Sequence, residues 1–213
     1  MKKAFALVVL IVTPFILFAQ GTIFVANSAS AVVQMVHPPG VGGFTYVAVN
    51  GGMVQFFAAA DSTPFSPLGA LEPYSRSFAL NYSSLAGFLA ANSGWNAYNT
   101  ANIAPIAGRF NAGTVTVAPL AHGGNIEYVM IGWTGPSTAL DAAIASGSAF
   151  IGESALYTGI ATVDPTVPPS ISSFIATSFL GLTLAPIATI PEPSIFSLAG
   201  LGAVLLLLFR RRG

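Results

Sequence analysis

Between residues 31 and 162, apolar residues recur in short runs punctuated by Gly, Pro, Asn and Ser. The runs at 31–36 (AVVQMV), 44–49 (FTYVAV), 53–58 (MVQFFA), 113–117 (GTVTV) and 126–133 (IEYVMIGW) are too short for helices. Their alternating or continuous apolar character, rich in Val, Ile, Thr and aromatics, predicts β-strands. Weaker runs at 150–153 and 157–162 predict two more, and a last strand falls near 171–184. Asn50-Gly51-Gly52, between FTYVAV and MVQFFA, predicts a tight hairpin because these residues tolerate positive φ.

Helical periodicity is rare. Pro136-Ser137-Thr138 opens the stretch LDAAIAS, and Gly147 follows it, the expected start and stop of a short helix. A second candidate, SSLAGFLAAN at 83–92, is interrupted by Gly87. Many short strands with one or two short helices predict a mainly β fold, an antiparallel β-sandwich with a jelly-roll-like order among those admitted.

The two ends break this pattern. Residues 1–19 read as a basic n-region, Lys2-Lys3, then an apolar run, then the small Ala19 before Gln20. This is the layout of a secretory signal peptide, cleaved between Ala19 and Gln20. The alternative is an uncleaved anchor, but the run is short against the roughly 20 residues that a membrane span needs.

At the other end, Pro191-Glu192-Pro193-Ser194 precedes an apolar run to Phe209 and then Arg210-Arg211-Arg212. The prolines bar a helix from entering from upstream, and Ser194 suits an N-cap. With the span placed at 194–209, its apolar run 195–209 rises only about 22 Å as a helix, short for a bilayer core of about 30 Å. The predicted layout is therefore a signal-peptide helix (1–19), an extracellular β-sandwich (20–163), a last strand and Pro-rich linker (164–188), and a transmembrane anchor (189–213).

Charge placement supports this layout. Charged residues make up only 7% of the 213 residues, and five of the seven basic ones are Lys2, Lys3, Arg210, Arg211 and Arg212. Basic residues stay on the cytoplasmic side, which places the weakly acidic body outside. With only Arg76 and Arg109 in the body, no basic patch exists to neutralise phosphates, which argues against a nucleic-acid partner. The absence of cysteine rules out disulfides, thiolate metal sites and a cysteine nucleophile.

The order Pro191-Glu192-Pro193, a short Gly/Ala/Leu-rich span and a closing arginine cluster resembles the PEP-CTERM sorting signal, also called the ice-binding protein C-terminal motif. A plain tail anchor is the alternative. The resemblance implies a substrate of exosortase, with Pro191, Glu192 and Pro193 as recognition residues and Arg210–Arg212 as the cytoplasmic stop signal. The signal peptide implies signal peptidase as a processing enzyme, and the resemblance implies initial anchoring in the inner membrane with the body periplasmic. Release to the cell surface or extracellular matrix would follow, in association with exopolysaccharide or biofilm.

More loosely, the body is similar to PEP-CTERM proteins of the verrucomicrobial type. The shared features are Gly21-Thr22-Ile23, Val54-Gln55-Phe56-Phe57, the stretch at 109–117 and Gly132-Trp133. Residues 74–106 depart from that pattern as an insertion. No activity is implied by this second resemblance.

Chemistry is sparse. His37 and His122 each precede a loop signal, and no nucleophile–base–acid arrangement is visible. Gly152-Glu153-Ser154-Ala155-Leu156 begins like a nucleophile elbow but lacks its second glycine. No metal motif occurs, and neither a cofactor nor a catalytic residue is expected. Trp95 and Tyr98, in the Asn-rich stretch SGWNAYNTAN, are the candidates for a sugar-stacking surface. The expected role is a non-catalytic surface or matrix protein. A carbohydrate- or ice-binding sandwich is the runner-up, and an exported hydrolase is the least supported.

Overall fold

The computed structural model describes residues 20–37, 42–121, 123–161, 173–174 and 178–188. In chain order the elements are β1 (Gln20–Ala26), β2 (Val33–Val36), β3 (Phe44–Tyr46), β4 (Gly52–Ala60), β5 (Gly69–Glu72) and β6 (Ser77–Leu80). Then come α1 (Leu85–Ala91), β7 (Asn96–Asn102), β8 (Asn111–Ala121), β9 (Gly124–Thr134) and α2 (Leu140–Ser146). The chain continues through β10 (Phe150–Glu153), β11 (Tyr157–Ala161), β12 (Ser173–Phe174) and β13 (Leu182–Pro186).

A large sheet runs β3-β2-β13-β10-β9-β4-β7, with β11 pairing the first half of β9. The long strands β4 and β9 form its middle, antiparallel from Gly52↔Thr134 to Ala60↔Ile126. Both are apolar on both faces: Phe56, Phe57, Tyr128 and Trp133 are all fully buried. Such continuous apolar runs belong to strands covered on two sides.

One face of the large sheet carries Val54, Phe56, Tyr128, Met130, Leu182 and Leu184, packed against Ile23, Val25, Val115 and Val117 of the three-stranded sheet β12-β1-β8. The other face carries Phe57, Val129, Ile131, Trp133 and Ile151, covered by the β5–β6 hairpin, α1 and α2. Phe88 of α1 and Leu140 of α2 are the buried residues that dock the helices.

Gly132 and Gly152 pair across β9 and β10. A Cβ at Gly132 would lie 2.6 Å from Leu182 Cδ2, and one at Gly152 would run into the Thr183 carbonyl. Gly152 needs glycine so that β13 can close on β10, whereas at Gly132 the Leu182 side chain would have to shift.

The layered, mainly β architecture is the one the periodicity predicts, with two parallel pairings added, β1–β12 and β2–β13. The expected hairpin across Asn50-Gly51 does not form. The tight turn is there, with Asn50 at φ 57 and the Gly51 N–H on the Ala48 carbonyl at 2.9 Å. However, β3 pairs with β2, because both edges of β4 are taken by β9 and β7. The turn instead carries the chain from one end of the large sheet towards the other.

The stretch 74–106, expected as an insertion, is integral to these layers: it supplies β6, α1 and β7. Two buried asparagines hold the connections. Asn27 donates to the Ala31 and Gly108 carbonyls and accepts the Phe110 N–H, at 2.7 to 2.8 Å. Asn92 binds both the N–H and the carbonyl of Ser66, at 2.6 and 2.9 Å.

Candidate functional site

The region that matters most for the expected function is where the folded body meets the C-terminal tail. Composition suggested that the approach to the anchor is a linker. In the structure, β13 is an inner strand between β10 and β2, with Leu182, Leu184 and Ala185 buried. Beyond it, Ile187 forms a parallel bridge with Phe78, and the Ala188 N–H donates to the Phe78 carbonyl at 2.9 Å. The last strand expected near 171–184 is found at Leu182–Pro186, and residues 185–188, expected as linker, belong to the body. Alternating apolar residues earn this stretch two neighbours, whatever its prolines suggest.

At the other end, Gln20 already pairs with Ala121, so the first residue after the expected cleavage belongs to β1. The expected recognition residues Pro191, Glu192 and Pro193, the stop residues Arg210, Arg211 and Arg212, the cleavage residue Ala19 and His122 lie outside the described residues.

Trp95, expected to be exposed, is buried, and Tyr98 is half-buried. Trp95 is 4% exposed, tilted against Phe65 at 4.7 Å between ring centroids, and its Nε1–H donates to the Pro64 carbonyl at 3.1 Å. Tyr98 packs on Phe56 at 5.9 Å, and its hydroxyl donates to the Ala118 carbonyl at 3.1 Å, tying β7 to β8. Burial pushes the Tyr98 phenol pKa up. The expectation of exposure is corrected. The asparagines around these rings mark only the outer edge of β7, where Asn96, Asn99 and Asn102 are exposed.

Among the described residues, the aromatics that stand in solvent are Phe44, Tyr46 and Tyr74, at 56%, 55% and 95% exposure. Beside Phe44 lies a cleft of about 160 Å³ whose walls include Leu71, Glu72 and Arg76. Arg76 Nη1 donates to the His37 carbonyl at 3.4 Å, and His37 Nε2 meets Thr45 Oγ1 at 2.6 Å. Sequence reasoning read Phe44 and Tyr46 only as strand residues. Their exposure follows from β3 being an edge strand, which no local pattern announces.

Two carboxyl groups are partly buried. Glu153 accepts the backbone N–H groups of Leu68 and Gly69, while burial pushes its pKa up to about 7. One oxygen each of Glu153 and Glu127 is buried without a hydrogen-bond partner. Ser154, next to Glu153, receives the Met130 N–H at 3.0 Å and donates to the Ala155 carbonyl at 2.8 Å. Its hydroxyl is thereby committed to holding the backbone. Among the described residues, no group of three or more His, Cys, Asp or Glu could hold a metal ion, and no helix is long and apolar enough to cross a membrane.

Comparison with known families decides the nature of the tail. Residues 189–212 match the PEP-CTERM protein-sorting motif. The chain carries a PEP-CTERM sorting motif. No curated protein and no solved structure matches it significantly. The motif begins one residue after Ala188, whose N–H is bonded to the Phe78 carbonyl, so the sorting signal directly follows the last described residue of the body. A tail of this kind marks an exported protein that is first membrane-anchored and then sorted by exosortase.

Proposed function

We propose that this protein is a non-catalytic component of the cell surface or extracellular matrix, handed on by exosortase after signal-peptide removal and associated with exopolysaccharide. The observation that carries the reading is the sorting motif at 189–212, set directly behind a compact β domain. The absence of a catalytic role is supported by how the polar side chains are used. Asn27, Asn92 and Ser154 all bind backbone groups, and His37 contacts Thr45 at the end of an edge strand. Mass spectrometry of the mature extracellular form tests the sorting step. The expected result is no peptide beyond Pro193, and recovery of intact Phe209–Arg212 peptides from that fraction would refute it.

A second reading, saccharide binding, is favoured at the Phe44 cleft by its exposed ring beside Glu72 and Arg76. Aromatic faces stack on sugar rings while charged groups bind hydroxyls. Glycan arrays probed with the wild-type chain and Phe44→Ala test this reading. Equal signals from the two chains would remove it.

A further inference from the structure

The large sheet ends at β3, and among the described residues no strand pairs with its outer edge. The Val47 N–H donates to the Val33 carbonyl at 3.1 Å, so Val47 faces β2. Backbone groups of successive residues alternate between the two edges of a strand. Thr45 therefore also faces β2, while Phe44 and Tyr46 turn their N–H and carbonyl groups outward. Native edges are usually blunted by charge, proline or a bulge. β3, reading Phe44-Thr45-Tyr46, has neither charge nor proline. At the other end of the sheet, the Tyr98 and Asn99 side chains tie the edge strand β7 to β8.

The outer edge of β3 is complementary to itself. A two-fold axis through Thr45 sets Phe44 opposite the second copy's Tyr46, and Tyr46 opposite the second copy's Phe44. Each of these pairs exchanges two N–H···O=C bonds, so all four outward groups of each copy find a partner. Residues directly opposite share a face, and aromatic pairs across strands are stabilising. Phe44 and Tyr46, each more than half exposed, are thus covered by rings of the same kind.

The size of the surface selects the occupant. Two half-exposed rings bury roughly 200 Å² per copy, against about 800 Å² per partner in a stable complex. A freely diffusing partner is not held by so little, whereas copies anchored in one membrane meet at a raised effective concentration. The geometry allows that meeting. Paired residues share a face, so the two-fold axis stands perpendicular to the sheet and both β5–β6 hairpins lie on one side of it. Phe44 is on the hairpin's face, since its register partner Val36 is buried in the cluster beneath that hairpin. Ala188, the last described residue before the sorting motif, bonds to Phe78 of β6. Both copies therefore present Ala188 on the same side, as two chains anchored in one membrane require.

We propose that β3 is a homodimer edge, through which two membrane-anchored copies of this chain join into one continuous antiparallel sheet.

The chain has no cysteine, so one engineered thiol reports alone. Thr45 lies on the axis as a non-hydrogen-bonded pair, with Cα atoms about 4.5 Å apart, a separation that a disulfide spans. The full-length chain carrying Thr45→Cys is reconstituted in phosphatidylcholine vesicles and oxidised with diamide. It should give a dimer linked through position 45 about tenfold faster than Thr100→Cys, because docking holds the two thiols together. Thr100 is exposed on β7 and reports random collision. Equal rates overturn the proposal. Adding Phe44→Lys and Tyr46→Lys to Thr45→Cys puts charge on the edge and should lower the rate to that of the collision control. Linkage at an undiminished rate would mean that the ladder is not the contact. In the unmodified chain, amide exchange at Phe44 and Tyr46 should slow as the protein-to-lipid ratio rises, and fast exchange at both at the highest ratio overturns the proposal without any variant. No glycan enters these measurements, so failure of the saccharide reading at Phe44 would be a separate result.

Discussion

The two faces of the large sheet are covered by different means. Over one face, β1 and β8 form an antiparallel ladder from Gln20↔Ala121 to Ala26↔Asn111, with register shifts between Gln20 and Thr22 and between Val25 and Ala26, so the cover is itself a sheet. Over the other, the cover is the four-residue strands β5 and β6 and two seven-residue helices. Side chains do the tying there. Asn92 binds Ser66, Tyr82 Oη donates to Ser66 Oγ at 2.8 Å, Trp95 binds the Pro64 carbonyl and Glu153 receives Leu68 and Gly69. A ladder opens as a unit, whereas side-chain ties open one at a time. The cover held by ties is also the one from which the tail departs.

Deleting the central aromatics should have the largest effect and should not distinguish the faces. Phe56 and Phe57 are consecutive in β4, fully buried and turned to opposite covers. Phe56→Ala and Phe57→Ala should each cost about 3–5 kcal/mol in urea unfolding, because both leave a cavity in the core. A loss below about 1 kcal/mol at either position would mean that its cover is not seated as described.

The asparagines should separate the faces. Asn27→Ala strands three buried backbone groups at the β1–β8 side and should cost about 3 kcal/mol, with amide exchange rising throughout the domain. Asn92→Ala should cost about 2 kcal/mol, with exchange rising mainly over 61–95 while β1 and β8 stay protected. Uniform exchange in both variants would erase the distinction.

Glu153 makes the tied cover sensitive to pH. In the unfolded chain it ionises near 4.5, in the folded body near 7. Between those values the unfolded state has released a proton that the folded state retains, so stability falls as pH rises through the window and levels off above it. Allowing for partial solvent contact, the loss should be about 2 kcal/mol. Glu153→Gln should flatten the dependence while leaving stability at pH 4 nearly unchanged. A wild-type curve that rises between pH 5 and 8 would contradict this assignment.

Legibility followed the range of the interaction. Strands β2, β4, β8, β9, β10 and β11 were readable because their apolar residues alternate or run continuously, as was α2 from its closing Gly147. By contrast β5 and β6, reading GALE and SFAL, are too short to show a period. β7, reading NAYNTAN, passes for a loop because its inward positions are occupied by the small Ala97 and Ala101. Pairing was invisible where it depends on distant partners: a sound local turn at Asn50-Gly51 joins strands that never touch. The sorting motif was readable because a membrane enzyme recognises it as a linear segment. Its seat on the body was hidden, since the partners of Ile187 and Ala188 come from residue 78, more than a hundred positions earlier.

The smallest expected effect probes the seam between the two covers. Tyr98 lies on β7, the edge of the large sheet, and its hydroxyl reaches the Ala118 carbonyl on β8. Tyr98→Phe keeps the ring on Phe56 and removes only that bond, so it should cost about 1 kcal/mol. Tyr82→Phe removes an equivalent hydroxyl from the tied cover, where its partner is the Ser66 side chain. That oxygen can turn to water, so the cost there should be about 0.5 kcal/mol. The order of the two losses is the informative quantity. The Ala118 carbonyl is solvent-exposed but fixed in its ladder strand, while the Ser66 hydroxyl can rotate to a new partner. If Tyr82→Phe proved the more costly, the hairpin side would be the more rigid of the two covers, and the contrast drawn between them would reverse.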